Sequence, residues 1–486
     1  MGFKFVVLWT DVVMWLMVLG VLLYVRTVRR DDALRATWRR VFTRPAAMAS
    51  AVVLLAMLAV TLADSVHFRR AFPLVEGQVR AYDPRTESLL DLALAKLILS
   101  RENSYSRPWA THGFLKESVP LPPGVKAELD EFGVPKLPPR AFPRLKHGGA
   151  GLTDPDAQWA ADIALRLALG TVGALALAAV LRWPLAWVRR RHARVQTGAA
   201  DAPAWRAAWW AATGLLLVAG WCVALGWGQG YHVLGTDRTG NDVLYQALKS
   251  VRTAFVIGGL ASLATLPLAL VLGIAAGYFK GWVDDVIQYI YTVLSSVPNI
   301  LLIAACVLMV QVFLDKNPEL FETGLERADL KIFLLCLILG LTGWAGLCRL
   351  LRAETLKLRE LEFVQASVAF GASPWRIMRH HILPNVMHLV LITTVLEFSS
   401  LILYEAVLSY VGVGVDPAMN SFGGLINQAR MEMARDPIVW WSFAAAFVFM
   451  VSIVLAANLF ADAVRDAFDP RARVVRPVRR LLAPAR

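Results

Sequence analysis

Residues 360–385 read ELEFVQASVAFGASPWRIMRHHILPN, two short helical stretches joined by a turn. Glu360 to Phe370 carries helix formers, and Gly371 stands where the first helix is expected to end in the left-handed conformation that glycine adopts cheaply. Ser373 is expected to cap the second helix, with Pro374 at its first position, where a missing N–H costs nothing. Trp375, Ile377, Met378 and Ile382 supply apolar surface, and Leu383-Pro384 is expected to close the segment. A helical hairpin offering apolar and basic groups suits a groove on a partner protein. A loop resting on lipid headgroups is the plainer alternative.

The surroundings of that hairpin decide its setting. The chain has 486 residues, 57% hydrophobic and 18% charged, with a mean hydropathy of +0.52. Soluble domains run about 45–50% apolar and about 25% charged. The net charge of +13 falls in bursts between long apolar runs rather than on one soluble face, which argues against nucleic acid as a partner. Nine runs are long enough to cross a bilayer, at roughly 5–25, 46–64, 160–181, 207–228, 253–277, 286–313, 331–350, 389–411 and 440–462. An all-α polytopic membrane protein follows. The first run reads as a span rather than a cleavable signal, because it carries Asp11 and leads into arginines without a small-residue cleavage site.

Basic clusters at 26–44, 182–206, 349–379 and 465–486 all fall on one side of a nine-span chain. The positive-inside rule makes that side the cytoplasm, with the N-terminus outside and the C-terminus inside. The connection 65–159 is then external. It opens with a helix expected around Thr86 to Leu99 and turns Pro-rich from Pro120 to Pro143, as a small folded cap or an extended arm. Cys222, Cys306, Cys336 and Cys348 lie in apolar runs without paired spacing and read as packing residues, not as a disulfide or zinc framework. Adjacent His380 and His381 would point about 100° apart on a helix and are no chelating pair. Trp205, Trp209, Trp210, Trp440 and Trp441 cluster at span ends, as interfacial anchors do.

The hairpin resembles the EAA loop of ABC-importer permeases: Glu-Ala-Ala, three residues, Gly, nine residues, Ile, one residue, Leu-Pro. Gln365-Ala366-Ser367 stands at the triplet, Gly371 at the glycine, His381 at the isoleucine and Leu383-Pro384 at the end. The spacing is kept, while Gln365, Ser367 and His381 depart from the pattern. Further segments resemble the dipeptide/oligopeptide/nickel branch. LGTDRTGNDVL, 234–244, is similar to its LGTDxxGRDVL, carried here by Gly235, Thr236, Asp237, Gly240 and Asp242. LSYVGVGVDP, 408–417, and NLFADAVRDAFDPRAR, 458–473, are similar to its LSFLGLGxxP and NLxGDxLRDxLDPR.

The resemblance implies a type I importer permease, not an enzyme, that forms half of a pathway for peptides or peptide-like solutes. Its implied partners are a second permease, expected to be a different chain, two ABC ATPases gripping the loop, an external solute-binding protein and the lipid membrane. ATP and magnesium belong to the ATPases, since this chain has no GxxxxGK[ST] loop and needs no cofactor or metal of its own. Family members typically have about six spans. Here an extra helix and basic linker, 1–45, precede a first core helix at 46–64; the 65–159 loop and an inserted pair at 160–228 follow. The permease core is expected at 229–464, its coupling loop at 352–388 and a basic cytoplasmic tail at 465–486. The resulting location is the bacterial inner membrane.

Other residues carry two readings each. Asp237 and Asp242 are expected to make turn and capping contacts rather than a metal loop. Glu397 and Glu405 in the eighth span either line a pathway or gate or pair with neighbouring helices. Pro267 and Pro298 either kink pathway helices or are tolerated prolines. The segment 412–437, with a helical stretch near 423–434, either gates the pathway or simply turns the chain back into the membrane. Competing functions are a membrane scaffold or sensor, which leaves the hairpin unexplained, and an intramembrane protease, for which neither HExxH nor paired intramembrane aspartates appear.

Overall fold

A computed structural model of the chain describes residues 3–72, 82–118, 140–194, 202–228, 230–321 and 323–468. Most of the Pro-rich run and the basic tail beyond 468, including the end of the 458–473 motif, lie outside them. The chain opens with β1 (Phe3–Val6), α1 (Trp9–Arg30), α2 (Asp32–Phe42) and α3 (Pro45–Asp64). Short elements follow: β2 (His67–Arg70), β3 (Glu87–Ser88), α4 (Leu89–Ala93), α5 (Ala95–Leu99), β4 (Glu117–Ser118) and β5 (Arg140–Ala141). The inserted pair is α6 (Pro155–Arg194) and α7 (Ala202–Gly226). Then come α8 (Val243–Phe279), α9 (Gly281–Ser296), α10 (Asn299–Lys316), α11 (Gly324–Gly343) and α12 (Ala345–Arg359). The hairpin contributes α13 (Glu362–Ala369) and α14 (Pro374–Ile377), and α15 (Leu383–Tyr410), α16 (Phe422–Met433) and α17 (Trp441–Phe468) complete the chain.

Among the described residues, eight helical stretches are long and apolar enough to cross a membrane: α1, α3, α6 to Trp183, α7, α8, α10, residues 374–410 and α17. Counted as one broken span, the pair α11 and α12, bent by 41° at their junction, brings the number to nine. The expected span 286–313 is not one helix. Val297 is extended (φ −87°, ψ 134°) ahead of Pro298, which lacks an N–H and disfavours helix in the residue before it, so α9 stops and α10 begins anew. Pro267, by contrast, lies inside an unbroken α8. The helix expected at Thr86–Leu99 is shorter and divided. Ser88 forms a capping box with Asp91, so α4 starts only at Leu89, and Leu94 separates it from α5.

With 37 residues, α8 is about 55 Å long and defines the two ends of the bundle. Its first turns meet the 65–159 connection (the cap end), and its last residue adjoins Lys280, whose ammonium lies 2.8 Å from Glu360 beside the hairpin (the hairpin end). At that end Arg349, Arg352, Lys357 and Arg359 lie on α12 itself, which leads into the hairpin, and Arg44, ahead of α3, pairs with Asp466 in the last turn of α17. Buried apolar side chains of α8, α15, α16 and α17 form one continuous core against which half-buried residues of α3 pack, and Met14 of α1 enters another with α8, α10 and α11. The inserted α6 and α7 cross at Gly170 and Gly220, where a Cβ on either would fall within 2.8 Å of the other's carbonyl.

The added N-terminal helix is tied to that core through charge. Arg252 of α8 donates to Asp11 at 2.6 Å and lies 3.7 Å from Asp329 of α11, and Asp11 also meets the His67 ring at 2.8 Å. All four groups are buried. β1 pairs antiparallel with β2, and β2 with β3, so the segment preceding α1 is stitched to the cap as well.

Candidate functional site

At the hairpin end, Gly371 has φ +74° and closes α13. Its N–H donates to the Val368 carbonyl at 2.9 Å and the Ala372 N–H to the Ser367 carbonyl at 3.1 Å, the paired bonds of a left-handed helix stop. A Cβ on Gly371 would meet nothing within 4 Å, so backbone conformation is the reason for glycine here, not space. Ser373 holds the cap position of α14 in extended backbone, but its side chain makes no capping bond; Pro374 supplies the helical φ instead. Nor does Leu383-Pro384 close the segment. Residues Met378–Ile382 form a π turn in which the Leu383 N–H reaches the Met378 carbonyl, and the chain runs on into α15. The wider turn accommodates Pro384, which has no N–H to donate.

The apolar side chains of the hairpin divide between two jobs. Ile377, Met378 and Ile382, expected as surface, are buried against α8, α9 and α12 and seat the hairpin on the bundle. Trp375 is 71% exposed and Phe370, which sequence reasoning passed over, is 91% exposed. Together they flank Gly371 and form the outward tip. An aromatic directly before the turn glycine was the available signal. Gln365 turns back, its amide donating to the Glu360 carbonyl at 3.3 Å, and Ala366 lies exposed beside it. Ser367 and His381 meet across the turn, Oγ to Nε2, at 3.3 Å. At the base, Arg352 forks onto Asp284 (2.5 and 2.7 Å) and Arg359 donates to the Tyr278 carbonyl at 2.6 Å. These bonds fix α12, from which the hairpin springs, to α9 and α8 by charge and backbone, while packing seats the hairpin itself.

At the cap end, the Gly235–Asp242 motif receives the irregular segment 101–115 of the long connection. Thr236 accepts from the Ser106 N–H at 2.7 Å and donates to the Ser104 carbonyl at 2.8 Å, while the Trp441 indole donates to the Thr236 carbonyl at 2.9 Å. Trp441 is thus an internal strut, not an interfacial anchor, because its N–H has a buried backbone acceptor. Asp237 Oδ1 accepts from the Thr239 and Asn241 N–H groups, and Asp242 caps α8 through the Leu244 and Tyr245 N–H groups. Gly240 has φ +78°, and a Cβ there would lie 1.9 Å from the Glu102 carbonyl. That contact leaves room for no other residue.

A buried cluster that the sequence did not reveal locks this docking. His232 Nδ1 lies 2.8 Å from Asp242 and Nε2 3.4 Å from Glu102. Burial alone would lower the His232 pKa, but hydrogen bonds to Asp242 and Glu102 raise it to about 9. Burial likewise opposes ionisation of Glu102, yet His232 and the N–H groups of Lys146, His147 and Gly148 bring it down to about 2. His232 is therefore a cation held between two carboxylates at neutral pH.

Glu405 is buried near the cap end of α15 and accepts from the Ser409 hydroxyl at 2.7 Å; a Cβ on Gly423 would lie 2.8 Å from it, so it locks α16 onto α15. Glu397, half-buried on the same helix, has no hydrogen-bond or ionic partner among the described residues. No group of three or more His, Cys, Asp or Glu side chains suited to a metal occurs among the described residues.

Comparison with known proteins places this architecture. The family described as binding-protein-dependent transport system inner membrane component matches residues 269–474. The chain is 31% identical over 245 residues, 50% of its own length and 72% of the relative's, to the oligopeptide transport system permease protein OppC of Haemophilus influenzae. It is 32% identical over 241 residues to the dipeptide transport system permease protein DppC of Lactococcus lactis subsp. cremoris, spanning 50% of this chain and 64% of that one. The glutathione transport system permease protein GsiD of Pectobacterium atrosepticum is 31% identical over 240 residues, 49% of this chain and 73% of that one. An inward-facing structure of the MetNI methionine ABC transporter aligns at a TM-score of 0.35 and 18% identity, over 47% of this chain and 96% of that chain.

Proposed function

Because the chain belongs to the binding-protein-dependent transport system inner membrane component family, as an ABC-importer permease of the peptide group, we propose that it forms half of an inward pathway for peptides or peptide-like solutes and is driven through the Gly371 hairpin. It is a multi-pass inner-membrane transport subunit, and its family is not an enzyme family. In this reading the hairpin end faces the cytoplasm, where the basic clusters belong, and the N-terminus lies outside. The cap end then faces the solute-binding protein. A second permease completes the pathway, and two partner ATPases hold the ATP and magnesium.

The observation that carries the reading is the division of labour in the hairpin. Phe370 and Trp375 stand exposed at its tip, while Ile377, Met378 and Ile382 are buried in the bundle immediately behind them. A partner that binds the tip thereby holds a segment rigidly coupled to α8, α12 and α15. For ATP to drive transport, the ATPase pair must favour one permease state over the other, since equal affinity for both shifts nothing. The hairpin supplies the handle for that difference. The test is retrieval of the complex from membranes through a tag on this chain. An ATPase is expected to co-purify and to be lost from a variant in which Phe370 and Trp375 are both replaced by Ser. Retention of the ATPase by that variant, with transport intact, would remove the hairpin from the coupling path.

A further inference from the structure

A polar cleft of about 790 Å³ opens at the cap end between the 237–241 turn, the 412–421 loop, α16 and the ends of α10 and α11. Its walls hold buried polar groups whose bonding is incomplete. Gln246, only 7% exposed, donates its amide to Asp237 at 2.5 Å, which leaves Oε1 without a partner among the described residues. Glu432, 6% exposed, accepts the Tyr105 hydroxyl at 3.1 Å on Oε1; its Oε2, near the Ser442 hydroxyl, makes no hydrogen bond of ordinary geometry. Elsewhere on the wall, Lys331 is 7% exposed, and the hydrogen bond its ammonium makes among the described residues is a long one, 3.5 Å to Gln311. Arg430 and Arg435, also on the walls, lie over the rings of Tyr410 and Tyr105, and Arg238 and Asp416 complete the charges.

Buried acceptors without donors and a buried ammonium without a carboxylate each carry a desolvation cost that a ligand would relieve. The two kinds of deficit share one cleft. We propose that the cleft is a way-station for a zwitterion: the ammonium of a short peptide bonds to Glu432 and Gln246 beside Asp237, and its carboxylate to Lys331. This rests on the permease reading above and adds to it a site and the residues that select for free termini. The deficits have opposite signs, which a simple anion or a lone cation would satisfy only by half.

The complex retrieved through this chain, placed in nanodiscs without a binding protein, is titrated with radiolabelled trialanine, N-acetyl-trialanine and trialanine amide. Saturable trialanine binding is expected, weakened about tenfold or more by acetylation and, separately, by amidation. Glu432→Gln should abolish the acetylation effect and keep the amidation effect, and Lys331→Met should do the reverse. Melting curves report folding, and Gln246→Leu replaces Glu432→Gln if that variant unfolds. Trialanine uptake by proteoliposomes supplied with the binding protein, and ATPase co-purification, test the permease reading separately. If uptake and the ATPase are present but trialanine does not bind, or blocked termini bind equally well, the way-station is overturned and the permease reading stands. It is equally overturned if either variant binds all three probes as the wild type does, or if Glu432→Gln releases another subunit, which would make the cleft an assembly contact.

Discussion

The Ser367 hydroxyl and the His381 Nε2 lie 3.3 Å apart across the Gly371 turn, so two of the positions at which the hairpin departs from the family pattern touch each other. The Ser367 hydroxyl also reaches the Phe363 carbonyl at 2.9 Å. With its single proton donated there, it accepts from the ring N–H of His381. A polar pair thus stands where the pattern has alanine and isoleucine.

That pairing predicts a small but coupled energy. Ser367→Ala and His381→Ile are each expected to destabilise the hairpin by about 0.5–1 kcal/mol, and the double variant to cost less than the sum. A double-mutant cycle on ATPase affinity measures the coupling. Strict additivity would mean that the two residues act independently.

Gly371 predicts a graded series. Its φ of +74° penalises any Cβ even though the space is open, so Gly371→Asn should be mild and Gly371→Ala should cost about 1 kcal/mol. Gly371→Val should cost more and displace the tip that Phe370 and Trp375 form. ATPase co-purification should fall in that order, and equal retention by all three variants would contradict the left-handed requirement.

Gly240 predicts a sharper failure at the opposite end. A Cβ 1.9 Å from the Glu102 carbonyl has to displace backbone, so Gly240→Ala should cost several kcal/mol and release the 101–115 segment. Limited proteolysis of the purified chain should then cut that segment, while the tie between α8 and the hairpin stays protected.

The His232 cluster predicts a pH dependence with a definite sign. His232 is raised from 6.5 to about 9, so its contribution is complete below pH 6.5 and is lost as pH rises through 9. Glu102 is lowered from 4.5 to about 2, so its contribution is complete above pH 4.5 and is lost as pH falls through 2. Docking of the cap should weaken between pH 6.5 and 9 by on the order of 2–3 kcal/mol. Proteolytic protection of 101–115, followed against pH, reads this directly, and His232→Gln should flatten the alkaline limb.

Arg252 predicts the anchoring of the added first helix. Arg252→Met leaves Asp11 and Asp329 buried without their cation, a loss of roughly 3–5 kcal/mol. A disulfide probe between cysteines placed on α1 and α11 should lose efficiency in that variant. Undiminished cross-linking would show that packing around Met14 suffices.

The apolar runs, the arginine-rich stretches between them and the turn at Gly371 were legible in the chain, because they depend on local composition and on conformations that single residues allow. Apolar runs of sufficient length declare themselves, and so does a glycine set between two short helices. The break at Val297-Pro298 was local too, but a proline inside an apolar run is ambiguous until its neighbours are known; Pro267 leaves α8 intact and Pro298 does not. The direction of each side chain belonged to tertiary structure. Ile377, Met378 and Ile382 turn inward and Phe370 outward because α8, α9 and α12 occupy one side of the hairpin and none of the described residues covers Phe370 on the other. The meeting of Glu102 with His232, of Asp11 with Arg252 and of Glu432 with Tyr105 joins residues up to 327 positions apart. No periodicity encodes such pairs, since they arise only when the folded chain excludes water from groups that must then satisfy one another.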